Sequence, residues 1–162
     1  MGGGVHLPAL DLAGAVDPTL TFRLWSRTGS NPDGLSLQIK DPVLGWAHAP
    51  VDLPAYDSTD LSGEAAWRTQ GESDGTYVLA AVNLAAWVGS TQQVRLLFRS
   101  DANYQSSGAY IDDITLDEES SDPDGDGLIG ILDEAQVYGT DPYLADTDGD
   151  GTPDYLDDDS DG

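Results

Sequence analysis

The last 46 residues, 117–162, hold 17 acidic side chains and no basic one, so their like charges repel and nothing within the segment compacts it. The acids are also spaced. Asp122-Pro-Asp-Gly-Asp-Gly, Asp146-Thr-Asp-Gly-Asp-Gly and Asp157-Asp-Asp-Ser-Asp-Gly each place Asp at the first, third and fifth positions and Gly at the sixth. An acidic run is ordinarily a solvated, disordered tail. The strict two-residue spacing with interleaved glycines argues otherwise, because alternate carboxylates converge on one point when a glycine lets the chain turn sharply. Such a point suits a hard cation, and the spacing is the front half of an oxygen-ligand calcium loop.

The expected ligands follow from the count. The first loop offers Asp122, Asp124, Asp126, the main-chain carbonyl of Leu128 at position seven and Asp133 at position twelve. Glu134, beside Asp133, competes for the closing place. The second offers Asp146, Asp148, Asp150, the carbonyl of Thr152, Asp154 at position nine and Asp157. Position nine of the first loop is Gly130, where a water takes the ligand place. Asp157, Asp159 and Asp161 open a third set with no closing ligand. Two calcium ions are expected, with a weak or absent third.

The rest of the composition agrees with this choice of metal. Cysteine is absent, and the two histidines, His6 and His48, lie in unrelated contexts. Carboxylates and carbonyls select calcium over zinc or copper. Loops of this kind work extracellularly at roughly 10⁻⁴ to 10⁻³ M calcium. A secreted or cell-surface bacterial protein is therefore expected. The formal charge of -24 argues against nucleic acid as a partner. No stretch is long and apolar enough for a bilayer helix, so membrane insertion is not expected. Met1-Gly-Gly-Gly at residues 1–4 reads as an added start, and the tail at 117–162 as truncated, a fragment of something larger.

Between them, residues 5–116 read as all-β. Leu20, Phe22 and Leu24 alternate with Thr21, Arg23 and Trp25; Leu35, Leu37 and Ile39 with Ser36, Gln38 and Lys40; Val94, Leu96 and Phe98 with Arg95, Leu97 and Arg99. Residues 76–82 form a continuous apolar run, and 110–116 another strand broken by Asp112-Asp113. Residues 83–88 suit a single helical turn. About 110 residues suffice for one two-sheet core, so an antiparallel β-sandwich is expected, followed by an extended calcium-binding segment.

The order of features also resembles known modules. Leu10-Asp-Leu-Ala-Gly, Pro18-Thr-Leu-Thr-Phe, Pro32-Asp-Gly-Leu-Ser-Leu, Trp67, Val82-Asn-Leu-Ala-Ala-Trp-Val-Gly, Val94-Arg-Leu-Leu-Phe-Arg-Ser-Asp and Gly108-Ala-Tyr-Ile-Asp-Asp-Ile occur in turn. Residues 5–116 resemble the MAM-like jelly-roll modules of bacterial secreted proteins, including those beside immune-inhibitor-A-type metallopeptidases. The tail, with its Tyr138-Gly-Thr-Asp-Pro142, is similar to thrombospondin type 3 repeats in their bacterial form. The resemblance implies a jelly roll, and a structural calcium on the acidic strand at Asp112 and Asp113, with Asp33 as a further ligand. From the residues alone, one of Asp112 and Asp113 faces inward and needs a cation or an arginine such as Arg95 or Arg99.

Two signals for chemistry carry little. Gly71-Glu-Ser73-Asp-Gly75 fits a nucleophile elbow, but both histidines precede the serine and a strand follows it. No His-Glu-x-x-His occurs, and carboxylate pairs for glycoside hydrolysis need a cleft that a lone sandwich seldom supplies. No enzymatic activity is expected. Most aromatics suit the core. Trp25 shares a face with Thr21 and Arg23, so it meets the second sheet, a long loop or a ligand such as a sugar. The expected role is a non-catalytic extracellular calcium-binding module, with adhesion or recognition by the sandwich and a calcium-stiffened linker. The partners are calcium and a carbohydrate or surface protein. The alternatives are a carbohydrate-binding accessory domain of a polysaccharide-degrading enzyme and an accessory domain of a secreted peptidase.

Overall fold

The computed structural model of the protein describes residues 2–28, 33–71, 76–103 and 106–160. Strand-forming alternation produces an all-β chain whose paired strands are antiparallel. In chain order they are β1 (Gly2–His6), β2 (Leu10–Asp11), β3 (Pro18–Arg27), β4 (Gly34–Asp41), β5 (Gly45–His48), β6 (Ser58–Thr59), β7 (Ala65–Ala66), β8 (Thr69–Gln70), β9 (Val78–Asn83), β10 (Thr91–Gln92), β11 (Val94–Arg99) and β12 (Gly108–Glu118). One sheet runs β1-β11-β4-β5. The other is centred on β3, which pairs with β12 on one side and with β9 and β8 on the other. Short pairs β2-β10 and β6-β7 complete the body.

The alternation sets which faces meet. Leu20, Phe22 and Leu24 of β3, Leu35, Leu37 and Ile39 of β4, and Val94 and Leu96 of β11 are buried in one core around Trp67. Trp67 stands edge-on to Phe22 at 5.8 Å and tilted to Tyr56 at 4.6 Å. Its indole N–H donates to the Pro54 carbonyl at 2.8 Å, so the buried ring leaves no polar atom unpaired. Burial of each such side chain contributes about 1.5–3 kcal/mol.

Several bounds differ from the sequence reading. Gly2, Gly3 and Gly4 pair with Arg99, Phe98 and Leu97, so the first sheet begins before residue 5. Thr76 and Tyr77 are exposed, and the strand starts at Val78, because only there does the chain reach β3. The helical turn expected over 83–88 is a 3₁₀ turn at Ala85–Trp87.

The outer face of the second sheet positions the tail. Thr19 and Thr21 point away from the core yet are fully buried, because the tail covers them. An α-helical turn, Ile131–Asp133, widens into a π-type turn, Glu134–Tyr138, which Gly139 ends at φ 80°. Residues 119–143 are clamped to the body by side chains rather than extending from it as a free rod.

Candidate metal centre

Both expected tail loops adopt one geometry. Asp122 Oδ1 accepts from the Gly125 N–H at 2.8 Å, and Asp146 Oδ1 from Gly149 at 2.9 Å. Asp124 Oδ1 accepts from Asp126, and Asp148 Oδ1 from Asp150, at 3.1 and 3.0 Å. Asp126 Oδ1 accepts from Leu128, and Asp150 Oδ1 from Thr152, at 2.7 and 2.8 Å. Each loop turns through a left-handed glycine at its sixth position, Gly127 at φ 106° and Gly151 at φ 99°. Each aspartate thus spends at least one oxygen on its own turn; Asp146 spends both, its Oδ2 accepting from the Gly151 N–H at 2.9 Å, whereas Asp124 and Asp126 bury their second oxygen. Asp122, Asp124 and Asp126 bring one oxygen each to within 4.8 Å of one another, as do Asp146, Asp148 and Asp150.

Glu134 is buried within reach of the first loop's charges. Its side chain is 0% exposed, and neither carboxylate oxygen has a hydrogen-bond partner. Burial, followed by the charges of Asp124, Asp126, Asp122 and Asp154, pushes its carboxyl up to about 8. Asp133, the twelfth-position residue, is exposed instead and packs against Gly130, where an added Cβ would lie 3.2 Å from its own Cβ. The one-residue difference has a local cause. The turn that starts at Ile131 turns Glu134 inward, where the charges of Asp124, Asp126 and Asp122 act on it, and leaves Asp133 exposed. Asp124 Oδ2 and Asp126 Oδ2 are buried and unpartnered beside it, and burial first of all raises the Asp124 carboxyl.

Asp157 stands at the twelfth position of the second loop. Its Oδ1 accepts from Asp159 N–H at 3.1 Å, and its Oδ2 is buried without a partner. Asp159 is pushed up chiefly by its hydrogen bond and charge repulsion with Asp157, so it leans towards this loop; Asp161 lies outside the described residues. Asp154 is buried, but both its oxygens accept from Thr147, the N–H at 2.8 Å and the hydroxyl at 2.7 Å. Asp154 therefore ties the loop's start to its far side. Tyr155 lays its ring against Gly127, at 3.6 Å from where a Cβ would stand, so the second loop roofs the first.

The orphaned atoms test whether the residues fit a cation. Asp124 Oδ2, Asp126 Oδ2, both Glu134 oxygens and Asp157 Oδ2 are buried acceptors without donors. A water or an amide would relieve some of these, but five carboxylate oxygens with no base in the segment call for positive charge. The donor set is all oxygen, so a hard divalent ion fits.

The body's candidates behave differently. Register slips between Asp112 and Thr115, with Asp113 at φ 48°, so the strand bulges and both aspartates stay exposed. Neither pairs with the expected arginines: Arg99 pairs with buried Asp60, and Arg95 donates to Gln38. Asp33 is buried, and its Oδ1 accepts from Asp101 N–H at 2.8 Å. Among the described residues these three join no cluster of metal-ligating side chains. Trp25 is half-buried, edge-on to Tyr110 at 5.5 Å. Ser73 of the elbow motif lies outside the described residues.

Sequence reasoning did not foresee the clamp. Tyr143 donates its hydroxyl to Asp117 Oδ2 at 2.9 Å and meets the hydroxyls of Thr21 and Thr115 at 2.8 and 2.9 Å. Arg23 grips both oxygens of Asp141. Glu119 accepts from the Thr19 hydroxyl at 2.9 Å and from Leu132 N–H at 2.7 Å. The one signal was Arg23 and Thr21 on an outward face that needed a cover.

Compared with known proteins, the sequence matches no family model and no curated protein at a significant level.

Proposed function

We propose that the protein is a non-catalytic, calcium-binding module of a secreted or cell-surface bacterial protein, built as a jelly-roll β-sandwich with thrombospondin type 3-like repeats behind it. The observation that carries this reading is Glu134, fully buried with both oxygens lacking a donor, against Asp122, Asp124 and Asp126. One calcium ion is held by Asp122, Asp124, Asp126, the Leu128 carbonyl and Glu134. A second is held by Asp146, Asp148, Asp150, the Thr152 carbonyl and Asp157. The ion supplies the positive charge that the segment lacks, so its binding free energy becomes folding free energy of the tail. The Arg23–Asp141 pair and the Tyr143 hydroxyl then fix the direction in which the chain leaves the body. The sandwich does the recognising and the calcium-braced tail sets its orientation on the parent protein.

Calorimetric titration of the calcium-stripped full chain tests this. Two binding events at or below about 1 mM are expected. Glu134→Gln removes one ligand charge, and should weaken one event by at least about tenfold, a change near 1.4 kcal/mol, while leaving the other. Absence of binding up to about 1 mM calcium overturns the proposal.

A further inference from the structure

The outer face of the first sheet, remote from the tail, gathers positive charge in a chain that has little. Cross-strand pairing sets His6, Arg95, Gln38 and His48 in one row across β1, β11, β4 and β5. Trp46 stands opposite Lys40 in the next row. Partners in direct register share a face, so these side chains converge. Arg95 stacks its guanidinium 4.2 Å from the Trp46 ring centre, Lys40 Nζ lies 6.0 Å from it, and His6 meets the ring edge-on at 5.2 Å.

The partners of the two cations are the informative part. The sequence has 6 basic and 30 acidic residues, so a base without an acid is unexpected. Arg23 and Arg99 are paired with Asp141 and Asp60. Arg95 instead donates Nε and Nη2 to the neutral Gln38 Oε1 at 2.9 and 2.7 Å, and Lys40 donates to Gln93 Oε1 at 3.0 Å. Among the described residues neither touches a carboxylate. Amide acceptors orient both groups without neutralising them. The Asp60–Gly63 turn sets Asp60 and Ser62 on Arg99, and Glu64 Oε2 lies 3.6 Å from His48 Nε2, whereas His6 and Lys40 beside Trp46 are exposed. Lys40 also borders a cleft of about 450 Å³ with Ser90, Thr91 and Gln93, which offers hydroxyl and amide groups.

We propose that this end of the face binds an acidic oligosaccharide, a uronate-containing chain. A uronate ring presents apolar C–H edges to Trp46, a carboxylate to Arg95 and Lys40, and hydroxyls to the Gln93–Thr91 cleft. Arginine held in plane by Gln38 is preset for carboxylate. The face carries a single indole among amides and cations rather than an apolar patch, which suits a sugar better than a protein surface. This inference deepens the recognition half of the proposed function and does not depend on the calcium half.

Calorimetric titration of the full chain in matched calcium, with tetragalacturonate and with its methyl-esterified counterpart, tests it. The acid form should bind with a Kd at or below about 1 mM, and the neutral ester at least about tenfold more weakly. Arg95→Gln and Trp46→Ala should each weaken the acid form by about tenfold or more. Lys40→Gln, at an exposed position, is the variant to read if either disturbs the strand signal. No heat up to about 10 mM, or equal binding by all three variants, overturns the proposal. A glutamate oligomer of equal charge that binds as tightly overturns the sugar assignment. Calcium binding without uronate binding rejects this inference alone, and uronate binding without calcium binding rejects only the calcium reading.

Discussion

In the body, the fully buried large side chains are Trp67, Phe22, Leu12, Leu24 and others like them; in the tail they are Ile131 and Glu134. The unpartnered buried atoms divide the same way. In the body they are nitrogens, of Trp25 and of His48, whose Nε2 lies 3.6 Å from Glu64 without a hydrogen bond, and in the tail they are oxygens, mainly of carboxylates. The body excludes water with apolar surface, which needs no partner outside the chain. The tail excludes water with groups that are costly to bury until a cation reaches them. On the proposed function, a fold of the second kind is conditional, and its condition is an ion.

The sharpest way to separate the two regions is to injure the body's core. Trp67→Ala removes the ring at the centre of the core and should cost about 3–5 kcal/mol in urea unfolding, with or without calcium. A loss confined to the calcium-free protein would erase the distinction.

Acidity should separate them next, with opposite signs. Glu134 in the folded, ion-free chain holds its proton up to about 8 against an ordinary 4.5. The folded form therefore binds more protons between those values, and tail stability falls as pH rises from 4.5 to 8. Calcium replaces the proton and should flatten that slope. Asp60 in the body goes the other way. Burial pushes its carboxyl up, but hydrogen bonds from Ser62 and Arg99 outweigh this and hold it below 3.8. Its contribution is present above 3.8 and is lost as pH falls through the lowered value. Urea unfolding at a series of pH values, with and without chelator, reads both.

The smallest effect belongs to the joint between the regions. Tyr143→Phe removes three hydroxyl contacts, but Thr21 and Thr115 keep each other at 2.6 Å. The expected cost is about 1 kcal/mol, read as faster proteolysis within residues 130–157 in calcium. An unchanged rate would mean that Arg23 and Glu119 hold the joint alone.

The alternation of Leu20, Phe22 and Leu24, or of Val94 and Leu96, made the strands legible because period two survives whatever the partner strand is. The Asp spacing made both loops legible because carboxylate, turn and glycine are all local. The burial of Glu134 rather than Asp133 was legible only as an ambiguity, since a helical turn of unknown phase selects between adjacent acids. The exposed Asp112 and Asp113 depend on a bulge that no periodicity announces. The clamp of Tyr143 spans 28 residues to Thr115 and 122 to Thr21, and such contacts leave no local mark.

Hydrogen exchange read by mass spectrometry, on the full chain with saturating calcium and again after chelation, measures the central claim directly. The account predicts that amides of residues 122–157 are slow in calcium and exchange fast without it, while β3, β4 and β11 keep their protection in both. Equal protection of the tail in the two states would contradict it, as would a body that opens together with the tail.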